Sequence, residues 1–135
     1  MMLDFSQFEV LTFDCYGTLI DWEQGILNSL KPVFKNHNTS LPDNETLEKY
    51  AKYESEAESG AFKNYRAILQ TVLGRFGDAL GFAPTADELR GFPDSLQNWQ
   101  PFPDTIAALQ ILAQKYKLAI ISNVDDDLFA HSAKH

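Results

Sequence analysis

The 135-residue sequence has little cysteine, few basic residues and no long apolar run. Its only cysteine, Cys15, cannot form an internal disulfide, so a reducing cytoplasm is the expected compartment. Eleven lysines and arginines stand against 19 aspartates and glutamates, and the net charge of −8 argues against nucleic acid or a membrane surface as a partner. No run approaches the roughly 20 apolar residues of a membrane span, and the first residues lack the pattern of a signal peptide.

The residues that are present suit a folded core, since 44% are hydrophobic and 13% are aromatic. Apolar periodicity predicts two strands with a block of helices between them. The predicted strands cover residues 9–14 and 118–122, and the second is expected to be buried. The predicted helices cover 22–36, 44–58, 63–80, a short segment after Thr85, 105–116, and a last segment that begins after Asn123.

Local signals set the expected helix ends. Pro32 should kink or end the first helix, because proline removes a hydrogen bond and clashes with the preceding turn. Asp43 and Asp104 are expected N-caps, and residues 85–88 (TADE) form a capping-box pattern. Gly81 suits the position just past a helix end.

The most informative segment is residues 9–21, EVLTFDCYGTLID. A strand-forming run ends abruptly in Asp14, and a turn with Gly17 and Thr18 follows. A buried parallel strand delivers a carboxylate in this way to the rim of the sheet, where ligands bind in α/β folds. The second strand ends at Ser122, and parallel neighbours end at the same rim, so Ser122 is expected near Asp14.

The pattern Asp-x-Tyr-Gly-Thr at 14–18 and the Ser-Asn pair at 122–123 resemble the first two motifs of the haloacid dehalogenase (HAD) superfamily. They resemble in particular the branch of type II (S)-2-haloacid dehalogenases and L-azetidine-2-carboxylate hydrolase. Residues 98–105 (NWQPFPDT) and 116–118 (YKL) are similar to the latter, a relative that opens a C–N bond.

The resemblance implies an α/β fold in which a Rossmannoid parallel sheet core carries an inserted all-helical cap. The core would comprise residues 1–19 and 99–135, and the cap residues 20–98. The family's lysine and acidic motif follow the second motif, so we expect an incomplete core, either a fragment or a subunit completed by a C-terminal chain or a homodimer. Such a chain is expected to be inactive alone.

The resemblance also assigns roles to the site. Asp14 would attack a small 2-substituted carboxylic acid and form an aspartyl ester, displacing a halide or an amine. Thr18 would orient Asp14, Tyr16 would shape the pocket, and Ser122 with Asn123 would hold the substrate carboxylate. No metal and no cofactor are implied in this branch, because a lysine supplies the positive charge.

Two alternatives remain. The first is a magnesium-dependent phosphatase, in which Asp14 and the backbone carbonyl of Tyr16 would hold the metal. Tyrosine, with a pKa near 10, replaces the acid that protonates the leaving oxygen in that branch, which favours attack on carbon. The second is a non-catalytic interaction or oligomerisation module.

Dehalogenases of this type carry an arginine early in the second cap helix, where it receives the halide. The register here gives Ala51 or Lys52, and the arginines, Arg66, Arg75 and Arg90, lie elsewhere in the sequence.

The remaining candidates favour structural roles. Residues 125–127 (DDD) are expected to cap a helix start. His131 and His135 are four residues apart but have no third ligand in view. Strand alternation directs Cys15 away from Asp14.

Overall fold

The computed structural model describes residues 2–135, which form two short strands and a set of helices. The strands are β1 (Val10–Phe13) and β2 (Lys117–Ile120). The α-helices are α1 (Trp22–Asn36), α2 (Asp43–Glu58), α3 (Tyr65–Leu80), α4 (Ala86–Asp94), α5 (Thr105–Leu112) and α6 (Asp126–Ser132), with 3-10 turns at Phe5–Gln7 and Ser95–Asn98.

The two strands pair in parallel, with Val10 opposite Lys117 and Phe13 opposite Ile120. The predicted α/β class with a parallel sheet is therefore confirmed. The prediction that the second strand is buried is wrong, because Ile120 is 42% exposed and the following Ile121 is 69% exposed. A parallel strand is buried only where helices cover both faces of its sheet, and none of the described helices packs extensively on this pair.

The core lies among the helices between the strands. Helices α1 to α4 pack on one another, and more than half of the buried apolar side chains belong to α1 and α3. Phe34 and Phe76 are in ring contact with centroids 5.4 Å apart. Cys15, Trp99 and Leu128 join the same apolar cluster from outside the helical block. The division into a core of residues 1–19 and 99–135 and a cap of residues 20–98 remains a prediction.

Several predicted helix ends are confirmed. Gly81 ends α3 in the left-handed region with φ of +77°. Thr85 and Glu88 form the full capping box of α4, each side chain accepting from the other residue's backbone N–H. These ends depend on contacts within one turn, which is why a local pattern predicts them.

The extent predicted for the first helix is confirmed, and the cap predicted for the second is wrong. Helix α1 continues through Pro32 to Asn36, so Pro32 does not end it, and a kink at Pro32 stays a prediction. Asp43 is the first residue of α2 and not its cap; Pro42 is the N-cap, without a side-chain hydrogen bond. The Asp43 carboxylate instead pairs with Lys31 Nζ at 2.9 Å.

Helix α5 is shorter and less buried than predicted. It ends at Leu112, and Asp104 at its N-cap makes no side-chain capping bond. Ile106, although apolar, is 41% exposed. Thr105 is the buried member of this helix, and its hydroxyl donates to the Leu19 carbonyl at 2.9 Å. None of the helices in the described part of the chain has the length and apolar character needed to cross a bilayer.

Gly25 is expected to be indispensable for packing α1 against Trp99. An added Cβ would lie 2.4 Å from Trp99 Cγ, and both residues are buried. Gly25→Ala should therefore destabilise the fold by about 1–3 kcal/mol through overpacking. Gly74→Ala is the matched control in α3, where a Cβ meets nothing within 4 Å and should stabilise by roughly 0.5–1 kcal/mol. Urea unfolding followed by circular dichroism checks both; equal midpoints for the two variants would contradict the packing argument.

Candidate active site

A tight turn after β1 fixes the position of Asp14. The N–H groups of residues 18–20 all donate to the Cys15 carbonyl, and the Gly17 N–H donates to the Ile20 carbonyl at 2.9 Å. Gly17 has φ of +91°, and a Cβ there would lie 2.7 Å from Trp22 Nε1. Glycine is required at this position because the left-handed conformation and the indole leave no room for a side chain.

Thr18 restrains the Asp14 carboxylate. Its Oγ1 donates to Asp14 Oδ2 at 3.0 Å, and both side chains are exposed. Cys15 faces the opposite way, into an apolar cavity of about 380 Å³ beside α5. Burial, and secondarily the charge of Asp14, raises the pKa of the Cys15 thiol to about 11.

A second cavity, of about 300 Å³, lies beside Asp14 between the strand ends and helices α1 to α3. Four of the five predicted site residues line it, and Thr18 reaches it only through Asp14. The lining consists of aromatic residues, carboxylates and two small polar residues: Tyr16, Trp22, Tyr50, Tyr65, Trp99, Asp14, Glu54, Glu58, Ser122 and Asn123. This arrangement brings together residues that are more than 100 positions apart in the sequence.

Tyr16 is held as a neutral phenol. Its hydroxyl and Ser132 Oγ share a hydrogen bond of 2.8 Å, and its ring meets Trp99 edge-on with centroids 6.0 Å apart. Burial raises the pKa of Tyr16 to about 12, although the bond to Ser132 opposes the shift. The phenol therefore stays protonated throughout the physiological pH range.

Sequence reasoning missed another carboxylate of this cavity, Glu54 of α2. Tyr50 and Tyr65 donate to its Oε1 at 3.0 and 2.5 Å, and the two phenol oxygens are 3.2 Å apart. Burial raises the pKa of Glu54 above its usual range, while the tyrosine bonds oppose that shift. The signal in the sequence was a glutamate on the inward stripe of α2, four residues after a tyrosine.

The second-strand residues enter the same cavity. Ser122 is half-buried, and Asn123 donates through Nδ2 to Glu58 Oε1 at 3.3 Å. The Asn123 amide is thus tied to a carboxylate of α2 in this structure. The predicted roles of Ser122 and Asn123 in holding a substrate carboxylate remain predictions.

The arginines do not reach this cavity. Arg66 pairs with Asp94 and Asp127 at 2.6 and 2.8 Å. The other two arginines also form ion pairs, Arg75 with Glu56 and Arg90 with Asp87.

Ala51 and Lys52 are also exposed on α2, at the positions where the resemblance places the halide-receiving arginine. The cavity lining contains no basic side chain from residues 2–135. An arginine cradle for halide is therefore not formed by this part of the chain.

The aspartates at 125–127 have roles that spacing alone did not predict. Asp125 makes no side-chain bond to its own helix. Its two carboxylate oxygens accept the N–H groups of Tyr65 and Arg66 at 2.9 Å each, which caps α3 from a distant segment. In residues 2–135, no three His, Cys, Asp or Glu side chains gather as a possible metal site, so His131 and His135 gain no third ligand.

A carboxylate at the end of a parallel strand, facing a pocket under a helical layer, defines a Rossmann-like α/β protein with an acidic strand-end site. The family model for haloacid dehalogenase-like hydrolases matches residues 8–135. The chain belongs to this family, the haloacid dehalogenase-like hydrolases. No curated protein matches it in sequence.

Solved structures agree on the fold. A defluorinating L-2-haloacid dehalogenase aligns with a TM-score of 0.81 and 20% identity over 94% of this chain and 56% of its own. The L-2-haloacid dehalogenase of Xanthobacter autotrophicus aligns with a TM-score of 0.78 and 21% identity, over 95% of this chain and 51% of its own. The magnesium-bound HAD-hydrolase YfnB of Bacillus subtilis aligns with a TM-score of 0.75 and 17% identity, over 94% of this chain and 59% of its own. The chain thus spans just over half of each relative, and identities this low establish the fold alone.

Glu54 is expected to make stability depend on pH. Its pKa is higher in the folded than in the unfolded chain, so the folded state binds more protons and its stability falls as pH rises above about 4.3. Glu54→Gln keeps a tyrosine acceptor without the charge, and should gain stability relative to wild type between pH 4 and 7. Urea midpoints at both pH values test this, with exposed Glu48→Gln as the control. If the urea midpoints of Glu54→Gln and wild type differ by the same amount at pH 4 and at pH 7, the prediction is contradicted.

Proposed function

We propose that this chain supplies the nucleophile and the substrate pocket of a HAD-type hydrolase that acts on small 2-substituted carboxylic acids. The observation that carries the proposal is the Asp14 carboxylate, restrained by Thr18 at the edge of a cavity of about 300 Å³. That volume suits a small acid and its displaceable group. The chain spans just over half of its structural relatives, so the activity belongs to the whole protein.

The reaction follows from the chemistry of a fixed carboxylate. An Asp14 oxygen attacks the α-carbon, a C–O bond forms, and the C–X bond breaks with its electron pair leaving on X. Ser122 and Asn123 are proposed to orient the substrate carboxylate during this step. Water then adds to the ester carbon of Asp14, which releases a 2-hydroxy acid and restores the carboxylate. Fixing the reacting atoms in one geometry replaces a costly bimolecular encounter.

Tyr16 supports attack on carbon over phosphoryl transfer. Its phenol, with a pKa raised to about 12, is a poor acid for a leaving oxygen. A magnesium site would draw on the Asp14 carboxylate and the Tyr16 carbonyl, since magnesium commonly binds one or two protein carboxylates and keeps several waters. Magnesium-stimulated phosphate release tests that alternative, and no step is assigned to a metal.

In the full-length protein, Asp14→Asn should reduce turnover to the background rate, because an amide cannot form the ester. The assay follows release of 2-hydroxy acid from (S)-2-chloropropionate and L-azetidine-2-carboxylate by mass spectrometry. Asp78→Asn removes an exposed carboxylate of α3 and should behave as wild type.

Full activity in Asp14→Asn would refute the mechanism. Magnesium-stimulated phosphate release from an ester would support the phosphatase alternative. Absence of any product from a folded chain would favour an interaction module, or a site that a C-terminal chain or a homodimer completes.

A further inference from the structure

The Tyr16 side chain lies between two cavities. It lines the cavity beside Asp14, whereas its hydroxyl is bonded at 2.8 Å to Ser132 Oγ. Ser132, the last residue of α6, lines the other, apolar cavity of about 380 Å³ and does not line the first. The ring of Tyr16 therefore belongs to the wall beside the nucleophile, while its oxygen is bonded on the side of the other cavity.

Each hydroxyl of this pair is the partner of the other. Ser132 is 8% exposed, and Tyr16 is half-buried. Within residues 2–135, neither Tyr16 Oη nor Ser132 Oγ makes a second hydrogen bond. Buried hydroxyls are normally paired, and one that is left without a partner is destabilising. Loss of the Ser132 hydroxyl would therefore drive the phenol to another acceptor.

The position of Ser132 is set by the rest of α6. Leu128, one turn earlier in the helix, is 2% exposed and belongs to the apolar core. Asp127, in the first turn, pairs with Arg66 of α3 at 2.8 Å. Because apolar packing and an ion pair both hold this helix, the hydroxyl of its last residue is a fixed partner for the phenol.

A phenol released from this bond would compete for the nucleophile. Asp14 lies two residues before Tyr16 and lines the same cavity, and a hydroxyl bonds more strongly to a carboxylate than to a neutral acceptor. A hydrogen bond to Asp14 stabilises its full negative charge, which is lost as the ester forms. Such a bond therefore favours the ground state over the transition state and slows the attack.

We propose that Ser132 is a positioning residue that holds the Tyr16 hydroxyl outside the cavity and so keeps it from Asp14. The wall beside the nucleophile is then an aromatic ring without a free donor, and Thr18 remains the hydrogen-bond donor to the carboxylate. Trp99 supports the same placement, because its ring meets that of Tyr16 edge-on with centroids 6.0 Å apart. The proposal rests on the proposed function, since it concerns the attack by Asp14.

Kinetics of the full-length protein test this, with release of 2-hydroxy acid from (S)-2-chloropropionate or L-azetidine-2-carboxylate as the measurement. Ser132→Ala should lower kcat about tenfold or more, with a smaller change in KM, because the freed phenol bonds to the charged nucleophile. Ser132→Thr keeps the hydroxyl and should restore most of the rate, since its extra methyl can enter the apolar cavity. Ser55→Ala, at an exposed position of α2, is the matched control and should not change kcat.

Tyr16→Phe separates the hydrogen bond from simple packing. Without a phenol oxygen Ser132 has nothing to hold, so adding Ser132→Ala to Tyr16→Phe should leave kcat as it is in Tyr16→Phe alone. A role in packing would instead lower kcat by the same factor in both backgrounds. In carbon-13 NMR of labelled tyrosine, the Cζ signal that Tyr16→Phe removes should move in Ser132→Ala and return in Ser132→Thr.

The outcomes separate this proposal from the one on which it rests. Three results overturn the role of Ser132: an unmoved Tyr16 signal in Ser132→Ala whose urea midpoint shows it folded, an equal loss of kcat in both backgrounds, or a moved signal without any loss of kcat. Wild-type turnover that vanishes in Tyr16→Phe also overturns it, because the hydroxyl would then act in the reaction itself. A signal that moves as expected in a protein without Asp14-dependent product sustains the hold on Tyr16 and refutes the hydrolytic mechanism.

Discussion

The architecture of the site depends on one capping interaction, in which the Asp125 carboxylate accepts the N–H groups of Tyr65 and Arg66. Asp125 follows the segment after β2 that holds Ser122 and Asn123, while Tyr65 begins α3. The bond therefore joins the end of the sheet to the helical layer at the cavity wall. Tyr65 in turn holds Glu54, so the position of one half-buried carboxylate follows from the cap made by another. A carboxylate at a helix N-terminus is also favoured by the helix dipole.

The cavity is negatively charged because the arginines form their ion pairs elsewhere. Arg66, Arg75 and Arg90 are each committed to carboxylates at the helix surfaces. The carboxylates of the cavity have only hydroxyl and amide donors from the described residues. Charge is thus paired outside the site, while the half-buried Glu54 has no positive partner among the described residues, and partial burial makes that charge more consequential than it would be in water.

How much of this could be predicted from the sequence depends on how far apart the interacting groups lie. Gly81 and the Thr85 capping box were predicted because their partners lie within one turn. Asp14 was predicted because a strand run that ends in an acid is itself a local pattern, and the family resemblance added Tyr16, Thr18, Ser122 and Asn123.

The errors arose where a distant partner decided the outcome. Asp43 pairs with Lys31 across a helix–helix contact and not with its own helix end. Asp125 caps a helix 60 residues away. Glu54 had the spacing of a core position, and only the approach of Tyr65 from the next helix makes it a fixed acceptor. The second strand was predicted to be buried because its residues are apolar. Burial of a strand also requires helices that cover its sheet, and none of the described helices packs extensively on this one.

Cys15 and Asp14 are adjacent in sequence but lie on opposite sides of the strand end, one in each cavity. A molecule with a displaceable group on carbon is an alkylating agent, and a thiolate is normally the first protein group to react with one. The thiol here, with its pKa raised to about 11, stays almost wholly protonated near neutrality. For the proposed reaction, the fold would thereby direct alkylation to the carboxylate, whose ester water can cleave, and away from a sulfur whose thioether would be permanent.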